Sequence, residues 1–139
     1  EQSRVAIEKT HQRGILTGAH TILGLPGEDA HENLRQASII SALPIDILKI
    51  HQMQIIRGTR LADEYTKQPF HIYSVDAYIR LVAAYIQRLR KDLVLERFVS
   101  QSPKNMRIAP HWGLKNHEFT DLLNNYLKEN DIHQGDLLE

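Results

Sequence analysis

The sequence contains no cysteine at all. This absence excludes a disulfide framework, a thiolate nucleophile and an iron–sulfur cluster ligated by cysteines of this chain. No apolar run approaches the roughly 20 residues that a membrane-spanning helix needs, and no signal peptide is visible. We therefore expect a soluble protein in a cytoplasmic setting.

A net charge of either sign is also lacking, because 17 basic residues balance 17 acidic ones. This balance argues against an extended electrostatic surface for nucleic acid or an anionic membrane, so we expect neither as a partner. The length of 139 residues suits one domain. Because the chain opens without methionine, we expect a piece of a longer protein, with a domain over 1–135 and a tail over 136–139 that could be a cloning remnant.

Strand-like and helix-like segments alternate along the chain, which predicts an α/β fold with a mostly parallel sheet. The first strand is apolar on both faces, so we expect it to be buried on both sides. The segment 57–73 is long enough to be a functional loop, with a short helix near 61–65. The tail after Asp131 is expected to be loosely held. The predicted helices are 2–13, 30–42, 74–89 and 116–129, and the predicted strands are 15–24, 46–56, 93–99 and 106–109.

The stretch His20–Glu28 reads His-Thr-Ile-Leu-Gly-Leu-Pro-Gly-Glu, a strand that ends in a glycine-containing loop before a helix. Gly24 and Gly27 permit a tight turn or a close approach of a ligand, and Asp29 with Glu32 fits a capping box. The loop lies at the carboxyl end of its strand, where α/β proteins bind ligands. An ordinary βα turn would also need a glycine and a cap, and the loop lacks the spacing of a phosphate-binding fingerprint.

The second strand carries polar residues where a central parallel strand would be apolar. Lys49 and His51 share one face of this strand with Met53. A buried lysine and histidine are costly unless that face lines a polar cavity. The alternative is an edge strand with one wet face, and the pattern alone leaves both interpretations open.

Taken together, four blocks resemble the carboxy-terminal half of radical S-adenosylmethionine proteins of the YhcC-like type, which are labelled Fe–S oxidoreductases. The resemblance covers nearly the whole chain, and the blocks occur in the same order at similar spacings. They are His20–Glu28, the run from Lys49-Ile-His51 to Gly58-Thr59-Arg-Leu61, Arg97, and Ile108-Ala-Pro-His-Trp-Gly113 with Lys115.

This resemblance implies a partial (β/α) barrel, the distal half of a TIM-like barrel. The amino-terminal half of such a protein carries a Cys-x-x-x-Cys-x-x-Cys loop that holds a 4Fe-4S cluster, and S-adenosylmethionine chelates the open iron. Electron transfer then generates a 5′-deoxyadenosyl radical that abstracts hydrogen from the substrate. Since this chain has no cysteine, the parent protein would be the enzyme and this part alone would be inactive. The substrate and the reaction are not implied.

The resemblance places Ile22 and Gly24, with Gly27 in the same loop, beside the adenosyl part of the cofactor. No catalytic residue or metal ligand is assigned. Gln54 departs from the family pattern, because many relatives have histidine there. Four side chains can face the barrel lumen and line a cavity for an anionic or polar substrate, although they could instead pair with acidic groups of the missing half. These four are His20, Lys49, His51 and Arg97.

A second class of function is a non-catalytic α/β module that binds an anion at the helix opening near Asp29. The negative charges of Glu28 and Asp29 weaken that hypothesis. On the first hypothesis the partner is the missing amino-terminal half of the barrel. Because a severed sheet exposes its edge, we also expect this chain by itself to be a homo-oligomer. The sequence assigns no role to Trp112 or to the 57–73 loop.

Overall fold

A computed structural model describes residues 2–138, so the predicted boundaries that include Glu1 and Glu139 lie partly outside the described residues. Five helices and five strands are assigned within this range. The helices are α1 (Gln2–His11), α2 (Ala30–Ser41), α3 (Arg60–Lys67), α4 (Val75–Ile86) and α5 (Asn116–Glu129), and the strands are β1 (Gly18–Leu23), β2 (Ile47–Gln52), β3 (Ile55–Ile56), β4 (Val94–Arg97) and β5 (Arg107–Ala109).

The main sheet is parallel and has the strand order β1-β2-β4. Within the described residues it is open and does not close into a barrel, which confirms the predicted partial α/β fold. A second sheet pairs β3 with β5 in antiparallel fashion, which the sequence did not predict. The predicted single strand 46–56 was therefore wrong. The chain leaves the main sheet at Met53 and Gln54, because Met53 is buried in a second apolar cluster around β3 and α3.

The two faces of the main sheet have different surroundings. In β2 the buried residues Leu48, Ile50 and Gln52 alternate with the partly exposed Ile47, Lys49 and His51. The same alternation in β1 leaves His20 and Ile22 exposed. The expectation that the first strand is buried on both faces was thus wrong for residues 2–138, since the helices pack on one face only. We call the uncovered side the open face.

Helix α4 forms the centre of the larger core. Ser74 caps its start by accepting a hydrogen bond from the Ala77 amide at 3.2 Å. The predicted apolar stripe is confirmed, because its six members are all buried: Tyr78, Leu81, Val82, Tyr85, Ile86 and Leu89. Burial raises the pKa of Tyr85 to about 12.

Helix α5 has the predicted bounds and packs against α4. Phe119 and Leu123 are fully buried, and Tyr126 is partly buried. The prediction that Leu122 is also buried was wrong, since 41% of it is exposed. Leu122 lines an open cleft between α4 and α5 together with Ile79, so part of its side chain remains accessible to solvent.

The segment after Asp131 is attached to the fold, so the expectation of a loosely held tail was wrong. The Gln134 side chain donates to the carbonyl oxygens of Arg90 and Leu93 at 2.6 and 2.8 Å. The Leu137 amide donates to the Gln87 carbonyl at 2.8 Å. These hydrogen bonds join the end of the chain to the turn after α4. No helix among residues 2–138 is long and apolar enough to cross a membrane.

Candidate functional site

Polar side chains from all three parallel strands lie together on the open face. The strand register pairs His20 with Lys49 and pairs Lys49 with Arg97. Laterally paired residues of parallel strands point to the same side of the sheet, so these side chains are neighbours. The rings of His20 and His51 are 5.2 Å apart between centroids. We call His20, Lys49, His51, Glu96 and Arg97 the polar-face cluster.

A β-bulge in β4 brings Arg97 into this cluster. Leu48 pairs with Leu95, but the next residue, Lys49, pairs with Arg97 because the register shifts by one residue. Glu96 and Arg97 therefore both lie opposite Lys49, as expected for a bulge. Without the bulge Lys49 would face Glu96 alone, and Arg97 would lie one step further along the strand. The bulge thus places one acid and one base beside the lysine.

The charges of the cluster are only partly balanced. The Lys49 ammonium lies 3.0 Å from the Glu96 carboxylate. Within residues 2–138, Arg97 has no ion pair or side-chain hydrogen bond. Partial burial, followed by the positive charges of His20, Arg97 and Lys49, lowers the pKa of His51 below its usual value. The Nε2 atom of His51 is buried and lacks a hydrogen-bond partner in this range. Such a set of groups suits an anionic or polar ligand.

The glycine loop after β1 is held by contacts inside the chain. Gly24 has a φ of +82°, and a Cβ built on it would lie 3.0 Å from the ring of Tyr73. The Gly24 amide donates to the fully buried Asn33 side chain at 3.0 Å, and Asn33 in turn donates to the Asp29 carbonyl at 2.7 Å. Gly24 is therefore required by the fold itself. Gly27 also has a positive φ, but the space around it is open.

Asp29 caps α2 as predicted, but the reciprocal half of the capping box does not form. The Asp29 carboxylate accepts from the Glu32 amide at 2.8 Å. The Glu32 carboxylate instead accepts two hydrogen bonds from Arg35, at 2.7 and 2.9 Å. The bidentate ion pair one helical turn further on is geometrically easier for Glu32 than a return to the cap.

Two glutamines tie the end of β2 to the segment that follows β4. Gln52 and Ser100 exchange two hydrogen bonds, with the amide of each contributing one at 3.0 and 2.8 Å. Gln54 donates to the same Ser100 carbonyl at 2.9 Å. The departure at Gln54 therefore has a structural explanation, because its amide positions the backbone after Arg97.

The 57–73 segment and Trp112 together cover the carboxyl ends of β1 and β2. The segment contains α3, which is longer than the short helix predicted near 61–65, and it ends with Tyr73 against Gly24. The Trp112 indole donates to the Tyr73 carbonyl at 3.1 Å and stacks on Phe119. Only about 10 Å³ remains between these residues and the strand ends. Trp112 therefore fastens this cover to the core.

The predicted site residues separate into two groups in the structure. His20, Lys49, His51 and Arg97 lie together, and Ile22 pairs with His51 on the same face. Gly24 and Gly27 lie in the loop beyond the strand end. Sequence reasoning missed Glu96, Asn33 and Tyr73. The only signal for Glu96 was its position next to Arg97, and nothing in the sequence reveals a bulge. No group of side chains within 2–138 could hold a metal ion.

An open parallel sheet with helices on one face and polar groups on the other defines part of an incomplete α/β barrel. The archaeal Elp3 of Methanocaldococcus infernus, solved without residues 1–46, shares this fold with a TM-score of 0.82 and 17% identity, over 95% of this chain and 31% of that one. Residues 45–129 match the family described as the Radical_SAM C-terminal domain. Since this match covers more than half of the sequence, the chain belongs to that family.

Three full-length relatives show the same relationship. MJ0486 of Methanocaldococcus jannaschii is 31% identical over 94% of this chain, YtqA of Bacillus subtilis is 26% identical over 93%, and YhcC of Escherichia coli is 24% identical over 91%. These alignments cover 41%, 40% and 41% of the relatives, so the chain spans about two-fifths of their length. The resemblance to YhcC-like radical S-adenosylmethionine proteins is thereby confirmed.

The two glycines of the loop give a matched test of the Tyr73 contact. Gly27→Ala should destabilise the chain by about 1–2 kcal/mol, because only its positive φ penalises a side chain. Gly24→Ala should cost roughly 1–2 kcal/mol more, since its methyl group also presses on Tyr73. Chemical denaturation measures both. In a Tyr73→Ala background the two substitutions should become equal, and a persistent difference would show that the ring is not the cause.

Proposed function

We propose that this chain is the distal half of the barrel of a radical S-adenosylmethionine enzyme and that its open face forms one wall of the cofactor and substrate cavity. The observation that carries the proposal is the polar-face cluster on the uncovered side of a parallel sheet. Parallel sheets are almost always covered on both faces. Another part of the parent protein would cover this one, and the missing amino-terminal half is the partner that we propose.

The residues of the open face suit the adenosyl part of the cofactor better than they suit a 4Fe-4S cluster. Ile22 is 45% exposed on the open face and pairs with His51, so an apolar surface is available to a purine ring. Gly27 leaves open space in the adjoining loop. A side chain at Gly24 would collide with the ring of Tyr73, so we assign Gly24 a role in the conformation of the loop. A 4Fe-4S cluster would need cysteines from the other half, since this sequence has none.

The charges of the polar-face cluster support the proposal that the substrate is anionic or polar. Glu96 already neutralises Lys49, whereas Arg97 has no partner within residues 2–138. Arg97 is therefore the strongest candidate for a carboxylate or phosphate contact, because a guanidinium binds such groups with two parallel hydrogen bonds. His51, whose lowered pKa favours the neutral imidazole, is available to accept or donate one further hydrogen bond. Oxidoreductase chemistry and a cytoplasmic location of the parent remain predictions.

The alternative, an anion site at the start of α2, has less support. The Asp29 carboxylate already accepts a hydrogen bond from the Glu32 amide at this terminus. The half-buried Glu28 adds a second negative charge and is held by the Gln36 amide at 2.7 Å. Both charges oppose an anion at a position that would otherwise attract one. The coding sequence upstream of this chain distinguishes the two hypotheses, since only the enzyme hypothesis requires a three-cysteine loop there.

Substitutions in the polar-face cluster should impair the reaction of the parent protein more than its folding. We expect Arg97→Gln to lower substrate turnover by roughly tenfold or more, because a charge-assisted hydrogen bond to the substrate is lost. His51→Gln should also lower turnover. Cleavage of S-adenosylmethionine without substrate should persist in both variants, and Arg80→Gln on the exposed side of α4 is the control.

The measurements are substrate turnover, uncoupled cofactor cleavage and thermal unfolding of each variant. A variant that unfolds at a much lower temperature and retains normal turnover in its folded fraction would indicate a structural role and contradict the assignment. Loss of uncoupled cleavage together with turnover would instead place Arg97 at the cofactor.

We also propose that the chain by itself associates into a homo-oligomer. The edge of β1 lies outside any strand pair in residues 2–138, and exposed apolar side chains lie in β1 and just before it. Leu16 is 77% exposed, Ile15 is 55% exposed and Ile22 is 45% exposed. Unpaired edges and apolar patches of this kind promote association. Sedimentation should show a species larger than 16.0 kDa, and Leu16→Lys should shift it toward the monomer. A monomer at high concentration would contradict this.

A further inference from the structure

A second polar site lies between the segment after β4 and the start of α5. A cleft of about 270 Å³ opens there. Among the side chains that line it are Ser102, Lys104, Arg107 and Lys115. They come from the loop after β4, from β5 and from the residue before α5, so residues distant in sequence converge on one space.

The charge of this cleft is positive and unbalanced. No acidic residue lines it, although three basic residues do. Over residues 2–138, the side chains of Lys104, Arg107 and Lys115 form no ion pair with a carboxylate. The nearby Glu118 carboxylate accepts from the Lys115 amide at 2.6 Å and so serves the helix terminus. Unpaired cations around a concave space attract an anion.

Two hydrogen-bond donors in the wall of the cleft also lack acceptors. The Nε atom of Arg107 and the hydroxyl of Ser102 are both buried and have no partner in the described part of the chain. Buried polar atoms are normally satisfied, so an unsatisfied pair at one cleft calls for an explanation. A ligand that only accepts hydrogen bonds suits two donors of this kind.

We propose that this cleft binds a single phosphate group. A phosphate offers several acceptor oxygens and up to two negative charges, and a guanidinium can bind it through two parallel hydrogen bonds. A long polyanion fits less well, because the chain has a formal net charge of zero. None of the residues that line this cleft belongs to the polar-face cluster, so the proposal rests on different observations from those behind the proposed enzymatic function.

The test uses the 139-residue chain and inorganic phosphate, followed by calorimetry or by amide chemical shifts. We expect saturable binding at one site. Arg107→Lys keeps the charge but removes the Nε donor and the planar fork, so it should weaken binding by roughly tenfold. Lys104→Gln and Lys115→Gln should each weaken it by about three- to tenfold. Lys128→Gln, near the other end of α5, is the matched control and should leave the affinity unchanged.

A simple alkyl phosphate ester, added in competition, distinguishes free phosphate from the phosphate of a larger metabolite. Equal or tighter binding of the ester supports a phosphorylated ligand, and weaker binding supports free phosphate, since both occupy the same cleft. The proposal is overturned if phosphate binding does not saturate, or if Lys115→Gln behaves like Lys128→Gln. It is also overturned if an RNA oligomer binds at the cleft and phosphate does not compete with it. Thermal unfolding of each variant confirms that the compared proteins are folded.

Discussion

Parallel sheets are found almost only with both faces covered, and this chain covers one. Helices α2, α4 and α5 bury one side of β1, β2 and β4 behind a core centred on α4. The other side carries exposed apolar residues such as Ile22 and Val94 beside charged ones. The accessibility of the polar-face cluster follows from this one deficit, and the chain spans about two-fifths of the length of its relatives.

Three local devices set the shape of the uncovered side. The bulge in β4 turns Arg97 toward Lys49. The Gly24–Asn33 hydrogen bond and the Tyr73 ring fix the loop at the end of β1. The pair of glutamines on Ser100 holds the backbone that follows Arg97. All three act through backbone geometry, so the positions of the polar side chains depend on strand pairing and on contacts at the strand ends.

The helices could be predicted from the sequence because the caps and apolar spacing that identify them are local. The Ser74 cap and the three- and four-residue spacing of α4 are each contained within one segment. The break at Met53 was missed although the apolar alternation changes parity there, from Leu48 and Ile50 to Met53 and Ile55. The partner strand β5 lies about 50 residues away, so the new pairing has no local signal. For the site, the alternation around Lys49 and His51 predicted a shared face. The bulge, Glu96 and the Tyr73 contact depend on other strands and left no local pattern.

The central claim is that a second part of the parent protein covers the open face. Hydroxyl-radical footprinting of Ile22 and Val94 tests it most directly, with Ile39 of α2 as the control. In this chain, kept dilute enough to remain monomeric, the exposed fractions are 45%, 57% and 48%, so the three residues should be oxidised at comparable rates. In the full-length parent, we expect Ile22 and Val94 to be protected by roughly tenfold while Ile39 is unchanged, because only the open face is buried there. Equal oxidation of all three residues in the parent would contradict the account.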